Sequence, residues 1–155
     1  MVDDITARHP SQYLSHDDLR GRTLTLKIET SEQEEVKLAG GKDHKTVIRF
    51  EGIPKPLVNN TTNDYSIAVL ISRRPSEWVG KRITIGPAET MFGSDVVPCI
   101  RVLGSPDAAP ERAKAFAACL ESAEAVDLKS RATTFASALK RTLAKIDPPK
   151  ATKGK

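Results

Sequence analysis

Apolar residues in this chain recur at every second position before Gly104 and at every third or fourth position after Pro110. That switch of period limits the chain to a sheet followed by helices. Leu24, Leu26 and Ile28 alternate with Thr23, Thr25 and Lys27, as a strand with one buried face does. The same parity predicts strands over 46–51 (Ile48 and Phe50 inward, Arg49 outward), 55–59, 81–85 (Ile83 and Ile85 inward) and 96–103 (Ile100 and Val102 inward). Pro98 lies inside the last of these, which predicts an edge or a bulge. The polar stretches 31–45 and 86–95 read as loops. Between the third and fourth strands, residues 59–64 offer several helix caps, and Ile67, Leu70 and Ile71 follow at helical spacing. A short amphipathic helix over 64–72 is expected, stopped by Pro75, with Trp78 buried beneath it.

Strand, strand, strand, helix, strand, strand is the element order of an OB-fold. The expected fold is mainly β with α: a five-stranded OB-like β-barrel over 19–104, after an extended lead over 1–18. Beyond a hinge, Pro110 suits the first turn of a helix. Ala113, Phe116, Ala117 and Leu120 then form one stripe, and Leu128, Ala132, Phe135, Leu139, Leu143 and Ile146 form another. Two such helices joined by a short turn bury each other's stripes. A helical hairpin is expected over 105–147, with a basic disordered tail over 148–155.

The charge is unevenly spread. Residues 1–104 carry 14 basic and 14 acidic residues, whereas 128–155 carries 8 basic residues and only Asp147 as an acid. A block of this kind marks contact with phosphates or acidic partners, or a solvated helix face.

No catalytic constellation is visible, and the chain reads as a binding protein. His9, His16 and His44 are scattered, without metal-ligand spacing. There is no phosphate loop, no dinucleotide fingerprint and no nucleophile elbow. Neither a metal nor a cofactor is expected. Cys99 and Cys119 have no C-x-x-C spacing and suit a reducing compartment. No apolar run reaches membrane-spanning length, and no secretory leader is evident. A cytoplasmic protein without a membrane is expected.

The chain resembles a family of small OB-fold proteins encoded by bacteriophages and prophages. The residues that carry the likeness are Phe50-Glu51-Gly52, Lys55-Pro56-Leu57-Val58-Asn59, Thr62-Asn63, Trp78-Val79-Gly80-Lys81-Arg82-Ile83 and Pro98-Cys99-Ile100-Arg101-Val102. The resemblance implies a fold and a phage or mobile-element setting, in which OB-folds bind single-stranded DNA during replication or recombination.

Single-strand binding needs a cationic groove and aromatic faces. The groove of an OB-fold crosses strands two and three, which makes Lys42, Lys45, Arg49 and Lys55 candidates, with Arg82 and Arg101 on outward faces elsewhere. Phe92 is the aromatic at the expected rim; it either stacks on a base or folds back over the barrel. Tyr65, on the short helix, is open to either role. Aromatic residues make up only 5% of the chain, so phosphate contacts would have to dominate. Lys129, Lys140, Arg141 and Lys145 avoid the apolar stripe of the last helix and are the candidates there. The competing expectation is a protein-interaction module, in which the helical hairpin docks a partner protein or a second copy.

Overall fold

The computed structural model describes residues 12–38, 41–92 and 94–148. Most of the lead expected over 1–18 and nearly all of the tail expected over 148–155 lie outside the described residues.

The described chain begins with one helical turn, α1 (His16–Leu19). The Ser15 N–H and hydroxyl both donate to Asp18 Oδ2, at 2.8 and 3.2 Å, which holds the turn's free end as a capping box does. Arg20 and Gly21 then take left-handed φ values of 52° and 74° and turn the chain into the sheet. The segment is fastened at two points. Leu14 N–H donates to Pro56 O at 2.8 Å, and Lys55 Nζ lies 3.0 Å from Asp18 Oδ1.

Five strands follow: β1 (Leu24–Leu38), β2 (Gly41–Phe50), β3 (Leu57–Val58), β4 (Arg82–Phe92) and β5 (Asp95–Gly104). They form one antiparallel sheet in the order β3-β2-β1-β4-β5. β1 serves two partners. Leu24 to Lys27 pair with β4, whereas Ile28 to Leu38 pair with β2, and a register shift between Ile28 and Thr30 marks the handover. Such an irregularity bends a strand and increases its twist.

The expected loops over 31–45 and 86–95 are largely strand. The β1–β2 ladder runs on from Ser31↔Ile48 to Leu38↔Gly41, and the β4–β5 ladder from Gly86↔Arg101 to Phe92↔Asp95. Ser31, Val36 and Gly86 are buried in these arms, but most of the other side chains are half-buried or exposed, so the arms show little apolar parity. They are held by backbone pairing and by cross-strand partners such as Glu34 with Arg49.

Ile28, Ile48, Phe50, Ile83, Ile85, Ile100 and Val102 are buried in one cluster, as their parity predicts, with Leu24 and Leu26 partly buried against it. β5 is an edge strand, which accommodates Pro98. The sheet does not close by backbone pairing, because β3 and β5 remain its two edges. A side chain occupies part of that gap. Asn63 Nδ2 donates to Ile100 O at 2.9 Å, and Asn63 Oδ1 accepts from Val102 N–H at 3.1 Å. The amide therefore pairs two edge groups of β5 much as a neighbouring strand would.

Asn63 comes from α2 (Thr61–Leu70), capped by Asn60, whose side chain accepts from Asn63 N–H at 2.8 Å. The expectation of an amphipathic helix over 64–72 needs correction. α2 starts three residues earlier, and its last five residues, Ser66 to Leu70, are all buried. It lacks a solvent face there because β5 and both C-terminal helices pack around it. These are α3 (Pro110–Glu124) and α4 (Leu128–Ile146). Phe116 and Phe135 meet edge to face, with centroids 5.9 Å apart, and they share one continuous core with the sheet and α2.

Polar clamps fix the arrangement. Arg112 Nη1 donates to Ala68 O and Val69 O at 2.9 and 3.3 Å, and Arg112 Nη2 lies 3.0 Å from Asp147 Oδ2. Asp147 also accepts from Arg73 N–H at 3.1 Å, and its backbone O accepts from Arg73 Nε at 2.9 Å. The start of α3, the end of α4 and the exit of α2 are thereby tied together. Trp78 is 2% exposed and donates from Nε1 to Ser72 O at 2.8 Å, in line with the burial expected of it.

Candidate nucleic-acid interface

The cations expected to line a groove on the sheet are mostly neutralised by neighbouring acids. Lys45 lies 3.6 Å from Asp43, Lys55 is held by Asp18, and the Arg49 guanidinium grips both oxygens of Glu34. Arg82 is bound most completely. Its Nη2 donates to Asp107 Oδ1 at 2.9 Å, while its Nε and backbone N–H donate to Oδ2 at 3.2 and 2.7 Å. The Arg82 side chain, helped by its backbone N–H, draws the Asp107 carboxyl down to about 2. A cation already hydrogen-bonded to a carboxylate gains little from a phosphate that must displace it. Lys42 is exposed on β2 and makes no ion pair among the described residues. Phe92 ends β4, and its side chain falls outside the described residues.

Arg101 stands apart. Its Nη1 is buried and has no hydrogen-bond partner among the described residues. It borders a cavity of about 270 Å³ between β4–β5 and the helical hairpin, shared with Glu89, Glu124, Leu128, Arg131 and Phe135. The outward strand face expected of Arg101 is thus turned toward the helical hairpin, and the residue is only partly exposed.

The cations of α4 behave differently. Between Leu128 and Ile146 the helix has no acidic residue. Lys129, Lys140, Arg141 and Lys145 are all exposed, and none makes an ion pair among the described residues. Arg131, the remaining cation, turns inward to cap α3 and donates to Ala123 O and Val126 O at 3.2 and 3.1 Å. The Lys140 ammonium sits 5.4 Å from the centroid of the Tyr65 ring on α2, within cation–π range.

Tyr65 borders a second recess, about 260 Å³, formed with Thr46, Asp64, Arg73, Trp78 and Leu143. Burial pushes the Asp64 carboxyl up, against hydrogen bonds from Asn59 and Thr46 and the charge of Lys45. Sequence reasoning reads Trp78 and Leu143 as core residues and passes over Thr46, Asp64 and Arg73 as site residues. Their meeting depends on α4 folding back over α2, which no local spacing announces.

Cys99 and Cys119 are free thiols, and burial pushes the Cys99 thiol up, against the charge of Arg101. Among the described residues no cluster of three or more His, Cys, Asp or Glu side chains is placed to hold a metal, and no helix is long and apolar enough to cross a membrane. No family model matches the chain, and neither a curated protein nor a solved structure is similar to it.

Proposed function

We propose that this chain is a non-enzymatic nucleic-acid-binding protein that holds single-stranded DNA mainly through its phosphates, along the exposed face of α4. The observation that carries the reading is the contrast in pairing: four exposed cations on α4 without an ion pair among the described residues, against sheet cations mostly bound to carboxylates. Sheet order and helix position support an OB-like scaffold. β1 is shared between β2 and β4, a helix separates β3 from β4, and β3 and β5 are the strands an OB barrel brings together at its seam. With the sequence resemblance, the setting is a phage or mobile element replicating or recombining in a bacterial cytoplasm.

The test is fluorescence anisotropy with labelled single-stranded, double-stranded and RNA oligonucleotides at low and physiological salt. If all four α4 cations contact phosphates, the log–log salt slope for a single strand is about −3, from about −0.7 per contact. Reversing Lys140, Arg141 and Lys145 to Glu flattens the slope and weakens binding to all sequences alike. Unchanged binding by that variant refutes the α4 interface. The alternative, a protein-docking module, draws on the apolar Val96 and Leu103 left exposed on β5, at 49% and 39%. It takes precedence if no oligonucleotide binds at low salt.

A further inference from the structure

We propose that the recess between α2, α4 and β2 is a subsite for one nucleobase of the bound strand, with Tyr65 as its stacking surface and Lys140 as the phosphate contact beside it. The inference rests on the nucleic-acid reading above and deepens it, because phosphate contacts along α4 give no place for a base.

Three observations converge on this recess. The first is size. At about 260 Å³ it lies just below the range of sites that take drug-sized ligands, which suits one planar ring system. The second is its lining. Tyr65, Pro75 and Leu143 offer apolar surface, and Thr46 and Asp64 bring a hydroxyl and a carboxyl to the same space. Asp64 Oδ1 accepts from Asn59 Nδ2 at 2.9 Å and its carboxyl also bonds the Thr46 side chain, and a carboxylate has further lone pairs with which to accept from the imino edge of a base. The third is position. The Lys140 ammonium lies 5.4 Å from the centroid of the Tyr65 ring that borders the recess, and Arg141 and Lys145 are exposed farther along the same helix. Phosphates running along α4 would therefore pass the recess. Among the described aromatic side chains, Phe50, Trp78, Phe116 and Phe135 are buried in the core, whereas Tyr13 and Tyr65 are half-buried, Tyr65 beside a surface cation.

Trp78 is the only tryptophan and lines the recess, so its emission reports occupancy directly. The full-length protein is titrated with a short oligothymidylate and with an abasic oligonucleotide of the same length. The expected result is that both bind with similar salt dependence but only the oligothymidylate changes Trp78 emission. Tyr65→Ala should weaken oligothymidylate binding roughly tenfold, the scale of one lost stacking contact, and leave abasic binding nearly unchanged. Tyr65→Phe should retain affinity for both. If Tyr65→Ala fails to fold, the comparison of the two ligands on the original protein still decides. Equal responses of Trp78 to both ligands, or none to either while both bind, overturns the base subsite and leaves the phosphate interface standing. Failure of every oligonucleotide to bind overturns both.

Discussion

Asn63→Ala tests how the two sheet edges are held together. The side chain is 2% exposed and supplies one donor and one acceptor to the β5 edge, to Ile100 O and from Val102 N–H. Truncation leaves both backbone groups without a partner, at about 1–3 kcal/mol for each buried orphan. A neighbouring cavity of about 220 Å³, bordered by Leu14, His16, Leu57, Pro98 and Ile100 as well as Asn63, gives water a route to them, so the lower half of the range applies. The expected loss is about 2–4 kcal/mol, or a melting temperature lower by about 4–16 °C for a chain of this size. Urea unfolding followed by Trp78 emission and far-ultraviolet dichroism measures the global effect. Hydrogen exchange at the Val102 amide measures the local one and should lose protection first. Asn63→Asp sharpens the test. Its carboxylate still accepts from Val102 but faces Ile100 O with no proton to donate. It should therefore be at least as damaging as alanine at neutral pH and should recover part of the loss when the carboxyl is protonated in mild acid. A change below about 0.5 kcal/mol in Asn63→Ala, the size of an ordinary surface substitution, with Val102 protection intact, would refute the reasoning.

Trp78→Ala should cost about 3–5 kcal/mol in urea unfolding followed by far-ultraviolet dichroism alone, as large core truncations do; an unaltered transition midpoint would show that its packing contributes nothing. Asp147→Asn removes the charge that Arg112 and Arg73 share and should cost about 2 kcal/mol, with faster exchange at the C-terminal end of α4 as the local sign. Acid titration should show a third effect. Asp18 is held low by the Ser15 N–H and by Lys55, and Asp107 by Arg82. For Asp147, burial raises the carboxyl, but Arg112 and the Arg73 N–H together outweigh it. Carboxyls depressed in the folded state stabilise above the ordinary carboxylate pKa and lose that contribution as pH falls through their folded values. Stability from these three groups should thus stay level from pH 7 to about 5 and fall from about pH 4 toward 2; a decline beginning near pH 6 would point to other groups.

The legible part of the fold was the part with a buried face. Ile83, Ile85, Ile100 and Val102 reach the core because their parity is unbroken, and the α4 stripe from Leu128 to Ile146 is legible for the same reason. The distal arms of both hairpins were not. Gln33, Glu35, Lys42 and Asp43 are exposed ladder residues, and a ladder held by backbone hydrogen bonds places no demand on side-chain hydropathy. α2 misled in the opposite sense: Ile67, Leu70 and Ile71 suggested one apolar face, yet Ser66 and Ala68 are buried as well. Small residues carry little hydropathy signal, but they let the C-terminal helices approach closely.

The candidate interface is less legible in the sequence for a related reason. A census of charge counts cations, whereas binding depends on cations without a local carboxylate, and that distinction is set by pairings distant in sequence. Arg82 meets Asp107 and Lys55 meets Asp18 across the fold, so an outward-facing strand position is not in itself an available charge. On α4 the census and the structure agree, because the helix contains no acid and its exposed cations face away from the core. Even there one cation is lost, since Arg131 turns back to satisfy the carbonyls at the end of α3. Local sequence can identify a surface that lacks carboxylates of its own. Which of its cations the fold recruits as caps is decided by the carbonyls that packing brings within their reach.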